Sequence, residues 1–412
     1  MTLQQATGPS NAAASAAPLA GIRVLDFAHV FAGPFCTRCL ADLGAEVLHV
    51  ETRSRQSRNA PADGGKDGDD NLHRPGYAHR SKQSITLNLK NSSARRVAQR
   101  LASVADVIVE NFSSGVMCRL ELDYARLQPM NPRLIFVSMS GYGHSGPRSE
   151  WTSMNMNLQA YSGLMMTTGI EGDPPTAISN SWNDFIGGLH ATFEILQALA
   201  DREETGVGRN IDLAQFESSV ATIGPLLLNS AVNGTILPRL GNRSTRDAPQ
   251  GAYKCAGKDD WCTLVVRTEE EWRGLAKAIG DPSLATDPRF ESTVGRFRHH
   301  EEIDQRISAW TTTLSAIEVE QRLCEAGVPA ERMRRADAIV GAPDAGGVYS
   351  PLDTLHGPAT VVARLPFELS ESPTAPPGPI ARLGQQTRSA LETWIGLSEA
   401  EIQALEAENA LT

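Results

Sequence analysis

Lysine is scarce in this 412-residue chain: six positions (Lys66, Lys82, Lys90, Lys254, Lys258 and Lys277) among 38 basic residues. Anion recognition therefore falls mainly to arginine, whose planar fork binds phosphate and carboxylate in bidentate fashion. Cysteine is sparse as well, at six. The Cys36-Thr37-Arg38-Cys39 pair has no second CxxC to complete a zinc site, and no disulfide framework surrounds it, so buried thiols and no metal are expected. No run approaches the roughly 18 consecutive apolar residues that a membrane span requires. The first twenty residues are rich in Ala, Ser and Gln and lack the basic and apolar regions of a secretory leader, so a cytoplasmic protein is expected. A net charge of −10 argues against nucleic acid or an anionic membrane as a partner.

What is present is ordinary globular composition, 41% hydrophobic and 21% charged, which excludes disorder. The length exceeds what one core usually organises, so two domains are expected. The chain opens with a strand at Ile22–Phe27, a turn at Ala32-Gly33-Pro34 into a helix through about Leu43, and a second strand at Glu46–Val50. This βαβ unit lacks GxGxxG, so no nicotinamide or flavin dinucleotide is indicated. The polar stretch from Thr52 to Arg80 carries Arg53, Arg55, Arg58, Arg74 and Arg80; it reads as a long loop able to clamp phosphates or as a solvated surface segment. Strand and helix then alternate. Strands are expected at Ser84–Leu89, Asp106–Glu110 and Leu134–Ser138, and helices at Ser92–Val104 and around Tyr124–Met130. The pattern predicts a doubly wound parallel sheet, with ligand contacts beyond the strand ends at Asn111–Gly115 and Ser140–Gly143. Met154, Met156, Met165 and Met166 could line an adaptable pocket, although filling a core is the commoner duty of such residues.

The stretch Trp182-Asn183-Asp184-Phe185-Ile186-Gly187-Gly188-Leu189 carries the chemistry. Ile186, Leu189, Phe193 and Leu196 form the apolar stripe of a helix running to about Asp201, so Asp184 sits at or beside a helix N-terminus. That end favours the ionised carboxylate, and Asp184 reads as a nucleophile that stays deprotonated; a plain N-cap is the alternative. Gly187 and Gly188 would let a large ligand approach the first turn. A strand at Asn210–Leu213 and one long helix to about Asn233 follow. Residues 221–250 read as a linker, 251–340 as a small α+β domain, and 341–412 as an extended return and two closing helices, with a capping box at Ser398 and Glu401. The first 20 residues read as a flexible segment before a large domain over 21–220.

Taken together, Leu25-Asp26-Phe27 with Ala32-Gly33-Pro34, Leu43-Gly44-Ala45-Glu46-Val47 before Val50-Glu51, Val109-Glu110-Asn111-Phe112 and Ser140-Gly141-Tyr142-Gly143 form an ordered set. Asp184 with Gly187-Gly188, Thr205-Gly206-Val207-Gly208, Ala248-Pro249-Gln250-Gly251 and Arg382-Leu383-Gly384 continue it. In this order and spacing the strings resemble the class III CoA-transferase family, which contains formyl-CoA transferase and carnitine CoA-transferase. The resemblance implies a Rossmann-like α/β domain built from both chain ends, a smaller inserted α+β domain and an intertwined dimer. It implies coenzyme A as substrate, no metal, and Asp184 as the catalytic aspartate passing through an anhydride and an aspartyl-CoA thioester. It places Val30 and Phe31 beside the thioester, Gly187 and Gly188 near its oxyanion, and Arg53, His79, Lys82, Asn111, Phe112, Arg119 and Tyr142 at the CoA.

The chain departs from the formyl-CoA enzyme in carrying Phe31 where that enzyme has glutamine, and Thr52 with Arg53 after the second strand where it has a basic residue. Formate and oxalate are therefore poor substrates to expect. Phe31 and the methionines favour an acceptor with a bulky apolar or aromatic part, such as benzylsuccinate, with succinyl-CoA as donor. The alternative α-methylacyl-CoA racemase needs a histidine where this chain has Met154; His144 and His190 lie elsewhere. The other alternative is one subunit of a heteromeric CoA-transferase, so a homodimer or a heteromer with a related subunit is expected.

Overall fold

The computed structural model describes residues 17–52, 76–179, 181–236, 238–340, 342, 348–352, 360–372 and 376–412. They fall into two compact units, bounded by Met1–Met165, Ala177–Thr235 and Gly346–Thr412 for the first and by Met166–Thr176 and Ile236–Ala345 for the second.

The first unit is built on six strands: β1 Arg23–Asp26, β2 Glu46–Glu51, β3 Gln83–Thr86, β4 Val107–Glu110, β5 Ile135–Ser140 and β6 Arg209–Ala214. They pair in the order β3-β2-β1-β4-β5-β6, and each neighbouring pair is parallel. Both faces are buried along the inner strands β1, β2, β4 and β5, as their apolar runs require, while the first residues of the edge strand β6 are exposed. Alternation sends Leu25, Leu48, Ile108 and Phe136 to one face, under the helix Ser92–Ala102. Val24, Val47, Val109 and Val137 go to the other face, under the helices Ala32–Asp42 and Trp182–Thr205.

The helices named here are α1 Ala32–Asp42, α2 Ser92–Ala102, α3 Val116–Arg119, α4 Asn155–Tyr161, α5 Trp182–Thr205, α6 Gln215–Thr222 and α7 Gly224–Asn233. Two closing helices, α8 Thr387–Ile395 and α9 Glu399–Ala407, bring Leu391, Trp394 and Ile402 onto the same face as α2, so both chain ends complete one core. Ser398 and Glu401 cap α9 reciprocally, as their spacing predicts.

The long helix expected up to Asn233 is two helices. Ile223 breaks it, with Gly224 and Pro225 opening α7, because proline cannot donate the N–H that a continuous helix would need at that point. The return segment holds an antiparallel pair, Tyr349–Leu352 with Thr360–Ala363, where only an extended crossing was expected. The second unit is a three-stranded antiparallel sheet, Gln250–Lys254 with Trp261–Val265 with Ala330–Arg332, packed by helices. Residues 166–176 join it through the Ile170–Leu240 bridge and the Arg239 Nε bond to the Ile170 carbonyl at 3.2 Å.

Candidate active site

The strand order reverses between β1 and β4, so their carboxyl ends flank the crevice in which a doubly wound sheet takes its ligand. Asn111, just past β4, closes the two ends onto each other. Its Oδ1 accepts the His29 N–H at 2.7 Å and its Nδ2 donates to the His29 carbonyl at 2.6 Å. The next residue, Val30, is 73% exposed and held at φ 66°, a left-handed conformation that a β-branched residue adopts only when its surroundings impose it.

Asp26 supplies part of that constraint from below. It is fully buried and accepts from the Ala28 N–H at 2.9 Å, Thr37 Oγ1 at 2.7 Å and Lys82 Nζ at 3.0 Å, with His49 Nδ1 at 3.1 Å. Burial would raise its pKa, but Lys82, His49 and Thr37 overcome this and hold the carboxyl far below the usual range. An acid inside an otherwise apolar buried strand was the available sequence signal for this anchor.

Asp184 lies in the first turn of α5, after Ser181, which is itself left-handed at φ 54° and ψ 42°. Its backbone N–H donates to the Ser181 carbonyl at 2.9 Å. Phe185 then packs edge-on against both Phe31 and Phe35, each at 4.9 Å between ring centroids, which ties the start of α5 to the segment that follows Val30. Gly187 and Gly188 are buried against neighbouring helices. A Cβ on Gly188 would stand 2.7 Å from Phe35 Cδ1 and 2.9 Å from the Ala32 carbonyl oxygen, so this glycine lets α5 lie against α1. Gly187 faces Gln215 of α6, whose Cγ would be 3.2 Å from an added Cβ. Gly188 thus serves the packing of α5 on α1, and Gly187 that of α5 on α6.

Electrostatically, Asp184 also departs from expectation. Burial raises its pKa to about 6, against a lowering contribution from the Ser181 hydroxyl. Among the described residues no cation compensates it. The carboxylate is thus mostly ionised at neutral pH yet poorly solvated, which favours nucleophilic attack. Beside it, Asn183 is fully buried with both side-chain amide atoms unpartnered, while its backbone N–H reaches Asn155 Oδ1 at 3.4 Å. Nothing in the sequence singled out Asn183.

The other expected positions divide. Phe112 lies 5.4 Å from the His29 ring and is partly buried on the core. His79 packs at 4.9 Å from His49 with the two rings tilted by 50°, and His49 itself lies 6.0 Å from His29. Arg119, at the end of α3, is exposed; its backbone N–H donates to the Gly115 carbonyl at 3.1 Å, and among the described residues its guanidinium makes no hydrogen bond or ion pair. Tyr142 is buried within a ring cluster with Trp151, Tyr161 and Phe216.

Lys82 is not a surface cation: only 4% exposed, its ammonium spends its donors on Asp26, the Pro34 carbonyl and Thr37. Arg80 likewise is buried, bidentate to Asp42 at 3.3 and 2.8 Å and bonded to the Ala363 carbonyl. Arg53, with Arg55, Arg58 and Arg74, lies outside the described residues. Met154 and Met156 are 73% and 61% exposed, so they fill no core within this unit.

Residues 19–387 match the model of CoA-transferase family III. The chain belongs to that family. This CoA-transferase is 31% identical over 404 residues to a succinyl-CoA–D-citramalate CoA-transferase of Chloroflexus aurantiacus, covering 96% of this chain and 98% of that one. It is 30% identical over 417 residues to the beta subunit of a succinyl-CoA–L-malate CoA-transferase of the same organism, covering 94% and 96%. A solved CAIB/BAIF family protein from Brucella suis superposes with a TM-score of 0.82 at 26% identity, over 92% of this chain and 100% of that one. A parallel-sheet α/β fold, a CoA-thioester substrate and transfer between carboxylic acids follow for this CoA-transferase. Among the described residues no helix is long and apolar enough to cross a membrane, and no group of three or more His, Cys, Asp or Glu could hold a metal ion.

Proposed function

We propose that the chain moves CoA from succinyl-CoA to a carboxylic acid with a bulky apolar or aromatic part, of which benzylsuccinate is the model, with Asp184 as covalent catalyst. An Asp184 oxygen attacks the donor thioester carbon; the C–S bond breaks and CoA leaves as thiolate, giving a mixed anhydride. The thiolate then attacks the aspartyl carbonyl, the donor acid departs as carboxylate, and Asp184 carries CoA as a thioester. The acceptor carboxylate attacks that thioester and the two steps run in reverse, which restores the free aspartate. No net proton or redox equivalent is consumed.

The observation that carries this reading is the uncompensated, half-buried Asp184 in the first turn of a 24-residue helix, roped by Phe185 to the strained Val30–Phe31 segment at the switch point. Val30 and Phe31 then flank the thioester. Asn111, Phe112, Arg119, Tyr142, His79 and Arg53 are assigned to CoA, with Arg119 as an accessible cation for its phosphates. Lys82 is reassigned to holding Asp26. Names of the relatives support a succinyl donor: both act on succinyl-CoA, and one of them is a subunit of a larger enzyme.

Assembly as a homodimer, or as a heteromer with a related subunit, is part of the proposal. Helix α7 buries none of its residues although Leu227, Leu228 and Val232 lie on it, and α5 exposes Leu189 and Phe193. Such apolar helix surface usually marks an interface. Sedimentation of the purified chain at twice the monomer mass is expected.

The test of the chemistry is mass spectrometry of the peptide containing Asp184 after incubation with a panel of acyl-CoAs, with hydroxylamine as trap. CoA or hydroxamate on Asp184 is expected, and Asp184→Asn should keep the fold and lose transfer. Wild-type turnover by Asp184→Asn refutes the assignment.

A further inference from the structure

Arg148, in the loop that follows β5, lies with its guanidinium between two aromatic rings, 4.2 Å from the centroid of Trp151 and 3.9 Å from that of Tyr161. Tyr142 packs edge-on against both rings, at 6.0 and 5.6 Å, and Phe216 closes the cluster 5.0 Å from Tyr161. Among the described residues no carboxylate pairs with Arg148 and no hydrogen bond satisfies its N–H groups. Most arginines of the same unit are committed elsewhere: Arg80 to Asp42, Arg202 to Asp106, Arg133 to Glu203 and Arg209 to Asp201.

Contact with a ring on two sides has a geometric consequence. It restrains the guanidinium and takes up part of its surroundings without using its N–H donors, which remain for an acceptor whose planar carboxylate matches their fork. It also restrains a side chain that would otherwise lose rotamer entropy on binding. The box stands at the carboxyl edge of the sheet and is anchored to the catalytic helix twice. The Phe216 N–H donates to the Gly141 carbonyl at 3.0 Å while the preceding Gln215 faces Gly187, and Asn155 of α4 meets the Asn183 N–H. Trp151 and Tyr161 are 55% and 44% exposed, so the box is open in this chain.

We infer that Arg148 is a specificity-determining residue that binds the second carboxylate of a dicarboxylic substrate, the rings around it taking that substrate's apolar part. This rests on the proposed transfer of CoA between acids and names the acid class as dicarboxylates. A CoA phosphate is the other anion that a guanidinium takes. A single cation among four rings suits one planar monoanion better than a phosphate, which gathers several charged and backbone donors.

The test compares succinate and benzylsuccinate with monomethyl succinate, which keeps one reactive carboxylate and the same carbon skeleton, using acetyl-CoA as a donor that has no second carboxylate. Arg148→Met is expected to lower kcat/KM for the two diacids by about 100-fold and for the monoester by less than about threefold, as loss of a charge-assisted pair implies. Arg148→Lys should fall between, because a point charge cannot reproduce the fork. Trp151→Leu, which leaves the cation but loosens its plane, should raise KM for the diacids alone by roughly tenfold. Equal losses on diacid and monoester, or none, overturn the inference. A raised KM for acetyl-CoA itself assigns Arg148 to a CoA phosphate and overturns it too. The covalent chemistry is scored separately: in Arg148→Met, acetyl-CoA should still leave CoA on Asp184. If the wild-type enzyme never labels, the covalent mechanism fails by itself, and the loss in Arg148→Met still decides the inference: confined to the diacids it upholds it, shared with the monoester it overturns it.

Discussion

Asn111 holds the backbone of His29 by both ends of its amide, accepting the N–H and donating to the carbonyl, across the gap where the sheet reverses its strand order. A residue at which the family resemblance implies a ligand contact is thus first of all the clasp of the loop that presents Val30. Asn111→Asp retains the acceptor but sets a carboxylate oxygen against the His29 carbonyl. It should cost about 1–3 kcal/mol and raise KM for acyl-CoA, read by urea unfolding and steady-state kinetics. Unaltered stability would show that the clasp constrains nothing.

Asp184 sets a pH dependence whose sign follows from its raised pKa of about 6. Protonation removes the nucleophile, so formation of the Asp184–CoA thioester should rise with pH to a plateau above about 7, half-maximal near 6. Stability runs the other way. The native state binds its proton more tightly than the unfolded chain, so this group destabilises the fold progressively as pH climbs through the interval between the ordinary carboxylate value and about 6. Asp184→Asn should therefore be about 1–3 kcal/mol more stable than wild type at pH 8 and nearly equal to it at pH 4. Matched melting curves at the two pH values decide it.

Close approach of α5 to α1 depends on Gly188. Gly188→Ala places a methyl against Phe35 and the Ala32 carbonyl, and backbone cannot give way as a side chain can. About 2–3 kcal/mol of stability should be lost, with activity falling as Asp184 is displaced. Gly187→Ala meets only the flexible Gln215 side chain and should cost clearly less, by differential scanning calorimetry.

Lys82→Met strips the buried Asp26 of its ammonium partner. Removing one member of a buried pair should cost about 3–5 kcal/mol, because the remaining carboxylate loses its ammonium and keeps only His49, Thr37 and the Ala28 N–H. Asp26 contributes stability above the ordinary carboxylate pKa and loses it as pH falls, since its folded-state pKa is depressed. The variant should accordingly show a shallower acid limb. If Lys82 instead served a CoA phosphate, the main effect would be a large rise in KM for acyl-CoA with stability intact.

Local pattern was enough for the repeating βα units. The apolar runs of β1, β2, β4 and β5, the Ser92 helix and the Ser398–Glu401 cap are all visible in residue order because each depends on neighbours a few positions away. The glycine pair at 187–188 stands out in the sequence, but the side chains it packs against do not. What a missing Cβ accommodates depends on Phe35 and Gln215, more than 150 and nearly 30 residues away along the chain. The resemblance implies a CoA contact for Lys82, and charge alone offers Arg80 as a phosphate clamp or a solvated residue, because sequence reports charge and not burial; in the structure Asp26 and Asp42 hold them.

The sequence by itself determined a doubly wound α/β sheet, the placing of Asp184 at a helix start and membership of a CoA-transferase family, since periodicity, capping chemistry and ordered motifs are written in residue order. Tertiary structure alone decided that Asn111 fastens His29, that Val30 is held left-handed, that Asp184 is short of both water and cations, and that Arg148 lies between two rings. Each of these depends on side chains distant in sequence meeting in a medium that excludes solvent, where the strength of a charge and the strain of a backbone are set by surroundings that linear order does not contain.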